Sequence, residues 1–243
     1  MARGVLALVG GAEFSPGNED CDRTLLAAAP AGPRFVVPTA AARQKPEHAV
    51  ETARRWFRRL GAEIDVLPVL RRRDAGDPGL AERAAGAGLL YLCGGDPGLL
   101  LDVLEGSPVW NGLRTAWVRG GSLAGSSAGA MALARTMLVR ASWPDRSRRR
   151  ARPALGLAPV DAVLPHFDAF GASWVDSALE GMEGDPLLLG LDERTAAIWD
   201  GTAWTASGPG RVTLLRRSGR QAFGSGATLS LEDPPQHPST VAP

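Results

Sequence analysis

Short apolar runs that end in glycine or a small polar residue recur along this chain, and helical patterns separate them. Strands of a parallel sheet that is covered on both faces are continuously apolar and are joined by helices. Five runs fit this description, at residues 5–9, 34–37, 63–69, 89–93 and 122–125. The sequence therefore predicts an α/β fold of three layers, α/β/α, with a mostly parallel sheet at the centre.

The pattern changes after Pro186, where short β-like pieces follow one another at residues 196–199, 204–206 and 212–215. Turn signals separate these pieces, which predicts an antiparallel β extension at the carboxyl-terminal end of the fold. The length and composition favour a single domain over residues 1–231. The proline-rich residues 232–243 are expected to form a frayed tail.

Charge and cysteine content exclude several classes of function. The formal net charge is +1, so no overall field attracts the chain to nucleic acid or to an anionic membrane. Two cysteines are too few for a disulfide-stapled secreted protein, and the apolar amino-terminal run is too short to cross a membrane, so a cytoplasmic location is expected. The scattered histidines and cysteines lack the spacing of metal ligands, and neither a metal nor a cofactor is expected.

Residues 125–129, Gly-Ser-Ser-Ala-Gly, fit the pattern G-x-S-x-G between an apolar strand and a segment, residues 130–138, with the composition of a helix. Such a turn points the hydroxyl of its central serine, Ser127, out of the backbone, and the N–H of Ala128 is the natural first donor to an oxyanion. The alternative is a plain turn in which Ser126 or Ser127 caps the helix. As a nucleophile, Ser127 would need a base.

His166 is the best placed of the three histidines to be that base. It follows an apolar run at the end of a predicted strand, whereas His48 lies in a predicted helix over residues 46–60 and His237 lies in the tail. A structural histidine that is partly buried is the alternative.

A carboxylate is needed to hold the imidazole in the right tautomer. Glu193 is the first choice, because it lies in a polar interruption between two apolar runs. Asp192, Asp168 and Asp145 stay open, since spacing alone does not tell which carboxylate faces the histidine. The structural alternative for Glu193 is a solvated turn residue paired with its neighbour Arg194.

Taken together, these residues resemble the dipeptidase E and cyanophycinase family of serine peptidases, which has a flavodoxin-like fold of the class I glutamine amidotransferase type. The resemblance extends to about residue 197 and is carried by residues 10–13 (Gly-Gly-Ala-Glu), 94–96 (Gly-Gly-Asp), 125–130, 166–167 (His-Phe) and 192–196 (Asp-Glu-Arg-Thr-Ala). It implies that Ser127 attacks a small peptide substrate, that His166 transfers the proton and that Glu193 completes the triad. It also implies that the Gly95 N–H is a second oxyanion donor opposite Ala128, and that the protein is a homodimer.

Two features bear on the substrate that this resemblance implies. Relatives in the family favour dipeptides with an amino-terminal acidic residue, but the sequence does not identify the cation that would bind the acidic side chain. Cyanophycinases carry arginines shortly after the His-Phe pair, whereas residues 168–173 here contain none, so cyanophycin is not the expected substrate.

The arginine-rich segment Arg146–Arg152 is interpreted as a solvated loop. Arginine is the habitual cation of this chain, which contains a single lysine, so a cluster of arginines is weak grounds for a nucleic-acid site. The alternative is that this segment borders the serine turn and attracts acidic substrates.

Two other functions stay open. An α/β-hydrolase-type esterase shares the G-x-S-x-G turn but orders its triad as serine, acid, histidine, which would require His237. A catalytically silent binding protein on the same fold is the non-enzymatic alternative, because a fold alone does not establish chemistry.

Overall fold

A mostly parallel sheet of eight strands lies at the centre of the protein. The computed structural model describes residues 3–140 and 149–235. Its strands are β1 (Leu6–Val9), β2 (Arg34–Val37), β3 (Asp65–Val66), β4 (Leu89–Leu92), β5 (Ser122–Ser126), β6 (Thr136–Arg140), β7 (Arg149–Pro153), β8 (Ala162–Leu164), β9 (Leu188–Leu191), β10 (Ala196–Trp199), β11 (Trp204–Ser207), β12 (Val212–Arg216), β13 (Gly219–Phe223) and β14 (Thr228–Leu229). Its helices are α1 (Glu19–Ala28), α2 (Pro46–Arg59), α3 (Arg72–Ala75), α4 (Pro78–Ala85), α5 (Pro97–Leu104), α6 (Pro108–Val118), α7 (Ala128–Leu133) and α8 (Val175–Glu180), with 3₁₀ turns at Thr39–Ala41 and Gly171–Trp174.

The strands of the central sheet follow the order β14-β11-β10-β1-β5-β4-β2-β3. Every neighbouring pair from β1 to β3 is parallel, whereas β10, β11 and β14 pair antiparallel. Because parallel strands end at the same edge of a sheet, the loops after β1, β4 and β5 meet there. The predicted α/β fold with a mostly parallel sheet is confirmed.

Both faces of the central sheet are buried. Successive strand residues point to opposite faces. On one face Ala7, Val9 and Tyr91 pack with apolar residues of α1 and α2. On the other face Leu6 and Leu8 pack with residues of α4, α5 and α6. This burial on both sides is the physical reason that the strands are continuously apolar in the sequence.

Proline and short polar side chains fix where the helices begin. A proline at the first helical position loses no hydrogen bond and has a preset φ. Four helices start in this way, at Pro46, Pro78, Pro97 and Pro108. At α5 the Asp96 carboxylate accepts a hydrogen bond from the Leu99 N–H, at 3.0 Å. This cap anchors the glycine turn between β4 and α5 at the edge of the sheet.

A second sheet of four strands, in the order β13-β12-β9-β8, stands beside the first. Its strands β8 and β9 are parallel neighbours, with Leu164 opposite Gly190. The chain therefore leaves both strands at the same edge. The two sheets join there, since the His166 N–H donates to the Gly10 carbonyl, after β1, at 2.7 Å. The Phe167 N–H donates to the Leu191 carbonyl at 2.9 Å and extends the pairing of β8 with β9.

Two predicted elements are wrong in length. The third strand, expected over residues 63–69, covers only Asp65–Val66, because Pro68 has no N–H with which to continue the ladder. The helix expected over residues 130–138 ends at Leu133. Beyond it the Arg135 and Thr136 N–H groups donate to carbonyls of residues 160 and 161, at 3.0 and 2.8 Å, and the chain continues as β6.

The described residues contain no helix of the length and apolarity that crossing a bilayer demands.

Candidate active site

Ser127 occupies a strained turn between β5 and α7. Its backbone has φ 49° and ψ −111°, a region that costs a non-glycine residue about 1–3 kcal/mol. The neighbouring glycines let the backbone segments of this turn pack closely, since any side chain would clash. A Cβ on Gly125 would lie 2.5 Å from the Gly129 carbonyl carbon, and a Cβ on Gly129 would lie 2.4 Å from the Leu92 carbonyl oxygen. The Ser127 N–H donates to the Val9 carbonyl at 2.9 Å, which ties the turn to the end of β1.

Three of the predicted site residues form one chain of hydrogen bonds. His166 Nε2 lies 3.0 Å from Ser127 Oγ, and His166 Nδ1 lies 2.7 Å from Glu193 Oε1. The side chains of His166 and Glu193 are 19% and 32% exposed, so both are accessible from the surface. A residue pair 39 positions apart in the sequence is thus brought into contact.

The parallel pair β8 and β9 explains how the histidine and the glutamate meet. Each of these residues follows the end of its strand by two positions, and the strands end side by side. His166 has a φ of 50°, which turns its side chain toward the serine turn. The Arg194 N–H donates to the Gly11 carbonyl at 2.9 Å, which fixes the Glu193 turn against the loop after β1.

The other predicted carboxylates have different partners. Asp168 accepts a hydrogen bond from the Glu193 backbone N–H at 3.0 Å. Asp192 accepts one from the Arg211 N–H at 2.8 Å, and burial, with the nearby Asp168 charge, raises the pKa of the Asp192 carboxyl. Asp145 lies outside the described residues. Of the described candidates, Glu193 is therefore the one in contact with the imidazole.

Two alternative interpretations of these residues can be compared with the contacts. No side-chain hydrogen bond of Ser127 caps α7, and the Ser126 hydroxyl donates instead to Glu13 Oε2 at 2.8 Å. Within the described ranges, Glu193 forms no ion pair with Arg194. The esterase arrangement depends on His237, which lies outside the described residues, as does the end of the predicted tail.

Gly95 and Ala128, the predicted oxyanion donors, both line the cavity that contains Ser127. Across residues 3–140 and 149–235, neither backbone N–H has a protein acceptor. Gly95 has φ +141°, and a Cβ there would lie 2.2 Å from the Ala40 carbonyl oxygen, so only glycine fits this turn.

The cavity beside Ser127 has a volume of about 670 Å³ and is lined by apolar, aromatic and cationic side chains. The Phe170 ring is stacked on the His166 imidazole, with centroids 4.8 Å apart. Trp174 follows at 5.3 Å from Phe170, and the Arg149 guanidinium lies over Trp174 at 4.6 Å. Arg140 is the direct cross-strand neighbour of Arg149.

These contacts correct the interpretation of the arginine cluster. Residues 146–148 lie outside the described residues, but Arg149–Pro153 is a strand, β7, and not a solvated loop. This segment is a strand because it pairs with β6, and no local sequence pattern reveals that pairing. Arg152 binds Asp102 at 2.7 Å and Glu105 at 3.1 Å, while Arg149 faces the cavity. The alternative, in which the segment borders the serine turn, agrees with the structure.

Several residues of the cavity were not identified from the sequence. Arg140 is the last residue of β6, a strand that the sequence does not reveal because residues 130–138 have the composition of a helix. Phe170 immediately precedes the 3₁₀ turn that follows the His-Phe pair, and Trp174 is the last residue of that turn. Their spacing of four residues is the one sequence signal that could have identified them as neighbours. A smaller cavity of about 250 Å³ adjoins Ser127 and His166 and is lined also by Glu13, Lys45 and His48. His48 is therefore near the site, although His166 is the histidine in contact with Ser127.

A serine hydroxyl, an imidazole and a carboxylate joined in this order form the constellation of serine hydrolases, which recurs on unrelated folds. By sequence, the chain is a member of peptidase family S51, whose family model matches residues 6–205. The family predicted from the sequence is confirmed.

Known proteins resemble the chain over different lengths. The cyanophycinases of Synechococcus elongatus and of Thermosynechococcus vestitus are each 32% identical over 167 residues, which is 65% of this chain and 51% of each relative. The chain thus spans about half the length of the curated relatives it matches.

Two solved structures extend this comparison. A peptidase from an acI-B1 Actinobacterium has a TM-score of 0.82 at 34% identity, covering 95% of this chain and 98% of that one. A putative peptidase E protein from Listeria monocytogenes EGD-e has a TM-score of 0.59 at 16% identity, covering 91% and 98%, and shares the fold alone.

Proposed function

We propose that this protein is a serine peptidase that hydrolyses short peptides with Ser127 as the nucleophile, His166 as the base and Glu193 as the triad acid. The observation that carries this proposal is the pair of hydrogen bonds through the imidazole, 3.0 Å to Ser127 Oγ and 2.7 Å to Glu193 Oε1. Membership of peptidase family S51 supports the same chemistry.

The proposed reaction begins when Ser127 Oγ attacks the carbonyl carbon of the peptide bond and His166 Nε2 accepts the hydroxyl proton. Glu193 accepts the Nδ1–H of the imidazole, which leaves Nε2 free to act as a base and stabilises the imidazolium. The tetrahedral intermediate collapses as the imidazolium protonates the leaving amine. Water then hydrolyses the acyl-serine with the same histidine as the base.

The oxyanion of the tetrahedral intermediate is proposed to accept hydrogen bonds from the Gly95 and Ala128 N–H groups. Preorganised hydrogen-bond donors of this kind contribute a large part of the rate enhancement in acyl transfer, and the loss of one donor lowers kcat about 100- to 1,000-fold. The strained backbone at Ser127 supports this assignment, because it keeps the hydroxyl above the start of α7.

Substrates with an acidic amino-terminal residue are proposed on the basis of the two arginines of the cavity. Arg140 and Arg149 stand opposite each other at the ends of β6 and β7, where like charges repel. Burial, together with Arg140, lowers the pKa of Arg149. Neither arginine has a carboxylate partner among the described residues, so a substrate carboxylate would relieve this repulsion.

The test is hydrolysis of a dipeptide panel with acidic, neutral and basic amino-terminal residues. The wild-type protein should hydrolyse acidic dipeptides, and Ser127→Ala should lose at least about 1,000-fold in kcat. Ser218→Ala, an exposed serine in the turn between β12 and β13, is the matched control. Equal hydrolysis by Ser127→Ala would exclude the proposed nucleophile, and cleavage of esters without peptides would favour the esterase alternative.

A further inference from the structure

Glu13 lines the smaller cavity together with Ser127 and His166, and it contacts the turn that carries Ser127 and the turn that carries the proposed oxyanion donor Gly95. Its Oε1 accepts a hydrogen bond from the Gly94 N–H at 2.8 Å, and its Oε2 accepts one from the Ser126 hydroxyl at 2.8 Å. Gly94 immediately precedes the oxyanion donor Gly95, and Ser126 immediately precedes Ser127. One carboxylate therefore joins the end of β4 to the end of β5 at the point where both enter the site.

The loop that carries Glu13 is built to hold it in place. The residues on either side, Ala12 and Phe14, both have left-handed backbones, with φ of 53° and 56°. Strain of this kind persists only where surrounding contacts fix it. The Ala12 carbonyl accepts hydrogen bonds from Asn18 Nδ2 at 2.9 Å and from Ser15 Oγ at 2.6 Å.

The ring of Phe14 secures the other side of this loop, since it packs in the core 4.8 Å from the ring of Tyr91. Space around the glutamate is also restricted. A Cβ on Gly94 would lie 3.1 Å from Glu13 Oε1 and 3.2 Å from Ser127 Cβ. Gly94 is thus packed between the Glu13 carboxylate and Ser127, and a displacement of the carboxylate shifts the glycine turn and, through it, the nucleophile.

We infer that Glu13 is a positioning residue that sets the separation of the Gly94-Gly95 turn from the serine turn, so that the Gly95 and Ala128 N–H groups act on one oxyanion. The inference rests on the proposed function. Glu13 does not touch the reacting atoms, and its contribution is to the transition state, where both donors must reach the same oxygen. Its loss should lower kcat and leave KM nearly unchanged.

The experiment measures the rate at which a fluorophosphonate labels Ser127, together with kcat and KM on the best dipeptide. Phosphonylation also develops negative charge on an oxygen in the oxyanion site, so this rate does not depend on the choice of peptide. Glu13→Ala should slow labelling and lower kcat about 10- to 100-fold, because a displacement of about 1 Å costs about this much. KM should stay within about threefold.

Glu13→Gln should restore much of the rate, since its carbonyl oxygen can accept from Gly94 while its amide donates to the Ser126 oxygen. Glu19→Gln is the matched control: it lies near the same loop and binds the Gly17 N–H at 2.6 Å, but contacts neither turn. A merely structural role would lower the melting temperature of Glu13→Ala and leave the labelling rate of its folded fraction unchanged.

Labelling of folded Glu13→Ala within twofold of the wild type would overturn the inference. Should Glu13→Ala not fold, Ser126→Ala removes one of the two contacts and is expected to slow labelling about 3- to 10-fold; an unchanged rate there overturns it as well. Wild-type protein that is labelled at Ser127 but cleaves no peptide would refute the proposed peptidase function and leave this comparison intact. Absence of labelling in the wild type would overturn both.

Discussion

A Cβ atom on Gly11 would lie 2.2 Å from Cε1 of the His166 imidazole and 2.5 Å from its Nε2. The imidazole therefore packs on the backbone of the loop after β1, at a distance that only a hydrogen on Gly11 allows. The φ of +119° at this residue is a second reason for glycine. The Gly-Gly pair after the first strand thus forms part of the surface on which the proposed base, His166, packs.

Gly11→Ala is expected to lower kcat/KM by about 100-fold or more, because the methyl group must push the imidazole away from Ser127. Gly61→Ala is the matched control, since Gly61 also has a positive φ, +82°, but nothing lies within 4 Å of an added Cβ. Both variants should lose stability through backbone strain, and only Gly11→Ala should lose activity. Steady-state kinetics and thermal melts of the two variants check this, and equal kinetics would contradict the packing argument.

Glu193→Gln should lower kcat about 100- to 10,000-fold with little change in KM, because the glutamine amide can donate to Nδ1 and favour the wrong tautomer. Asp168→Asn should have a smaller effect, since Asp168 reaches only the Glu193 N–H. Kinetics of Asp192→Asn and Asp145→Asn complete the set of candidate acids. An effect of any aspartate variant that equals that of Glu193→Gln would reassign the third residue of the triad.

The sequence allowed the serine turn and its two partners to be predicted because each has a local signature. Ser127 is bracketed by glycines that close packing demands, and His166 and Glu193 each follow an apolar strand. The contact between them depends on the parallel pairing of β8 with β9. That pairing lies in a second sheet, which no local pattern distinguishes from the first.

The walls of the cavity could not be predicted, because they depend on pairing between segments. The residues from Thr136 to Leu138 look helical after an alanine-rich stretch, but tertiary contacts place them in β6. That strand then determines the direction of Arg149 on β7. Likewise the Gly-Gly-Ala-Glu segment was noted only as a family marker, since Glu13 meets its two partners 81 and 113 residues further along the chain.

Arg149→Gln should raise KM for acidic dipeptides about 10-fold, the loss expected for one charged hydrogen bond, and leave neutral dipeptides within about twofold. Arg150→Gln is the matched control, because this neighbour on β7 is exposed and does not line the cavity. Added salt should weaken the acidic preference of the wild type more than that of Arg149→Gln. An unchanged preference in Arg149→Gln would remove this arginine from the substrate site.

Asp22 provides a prediction about pH, because its carboxyl is fully buried between α1 and α2. Trp56 Nε1 donates to its Oδ2 at 2.6 Å, while its Oδ1 has no partner within the described residues. Burial raises the pKa of Asp22 from 3.8 to about 7; the nearby Glu13 and Glu19 act in the same direction, and the Trp56 hydrogen bond opposes it. Between those two pH values the folded state holds a proton that the unfolded state has lost.

The stability contributed by neutral Asp22 is therefore fully present below pH 3.8 and is lost as the pH rises to about 7. Asp22→Asn removes this titration and keeps an acceptor for the Trp56 N–H. The free energy of unfolding of Asp22→Asn minus that of the wild type should be about 3 kcal/mol larger at pH 8 than at pH 4.5, because only the wild type loses stability over this range. Urea denaturation at the two pH values measures this difference. Asp20→Asn, exposed on the same helix, controls for the loss of a charge near the start of α1. If the unfolding free energies of Asp22→Asn and the wild type differ by the same amount at both pH values, the buried carboxyl does not titrate in this range.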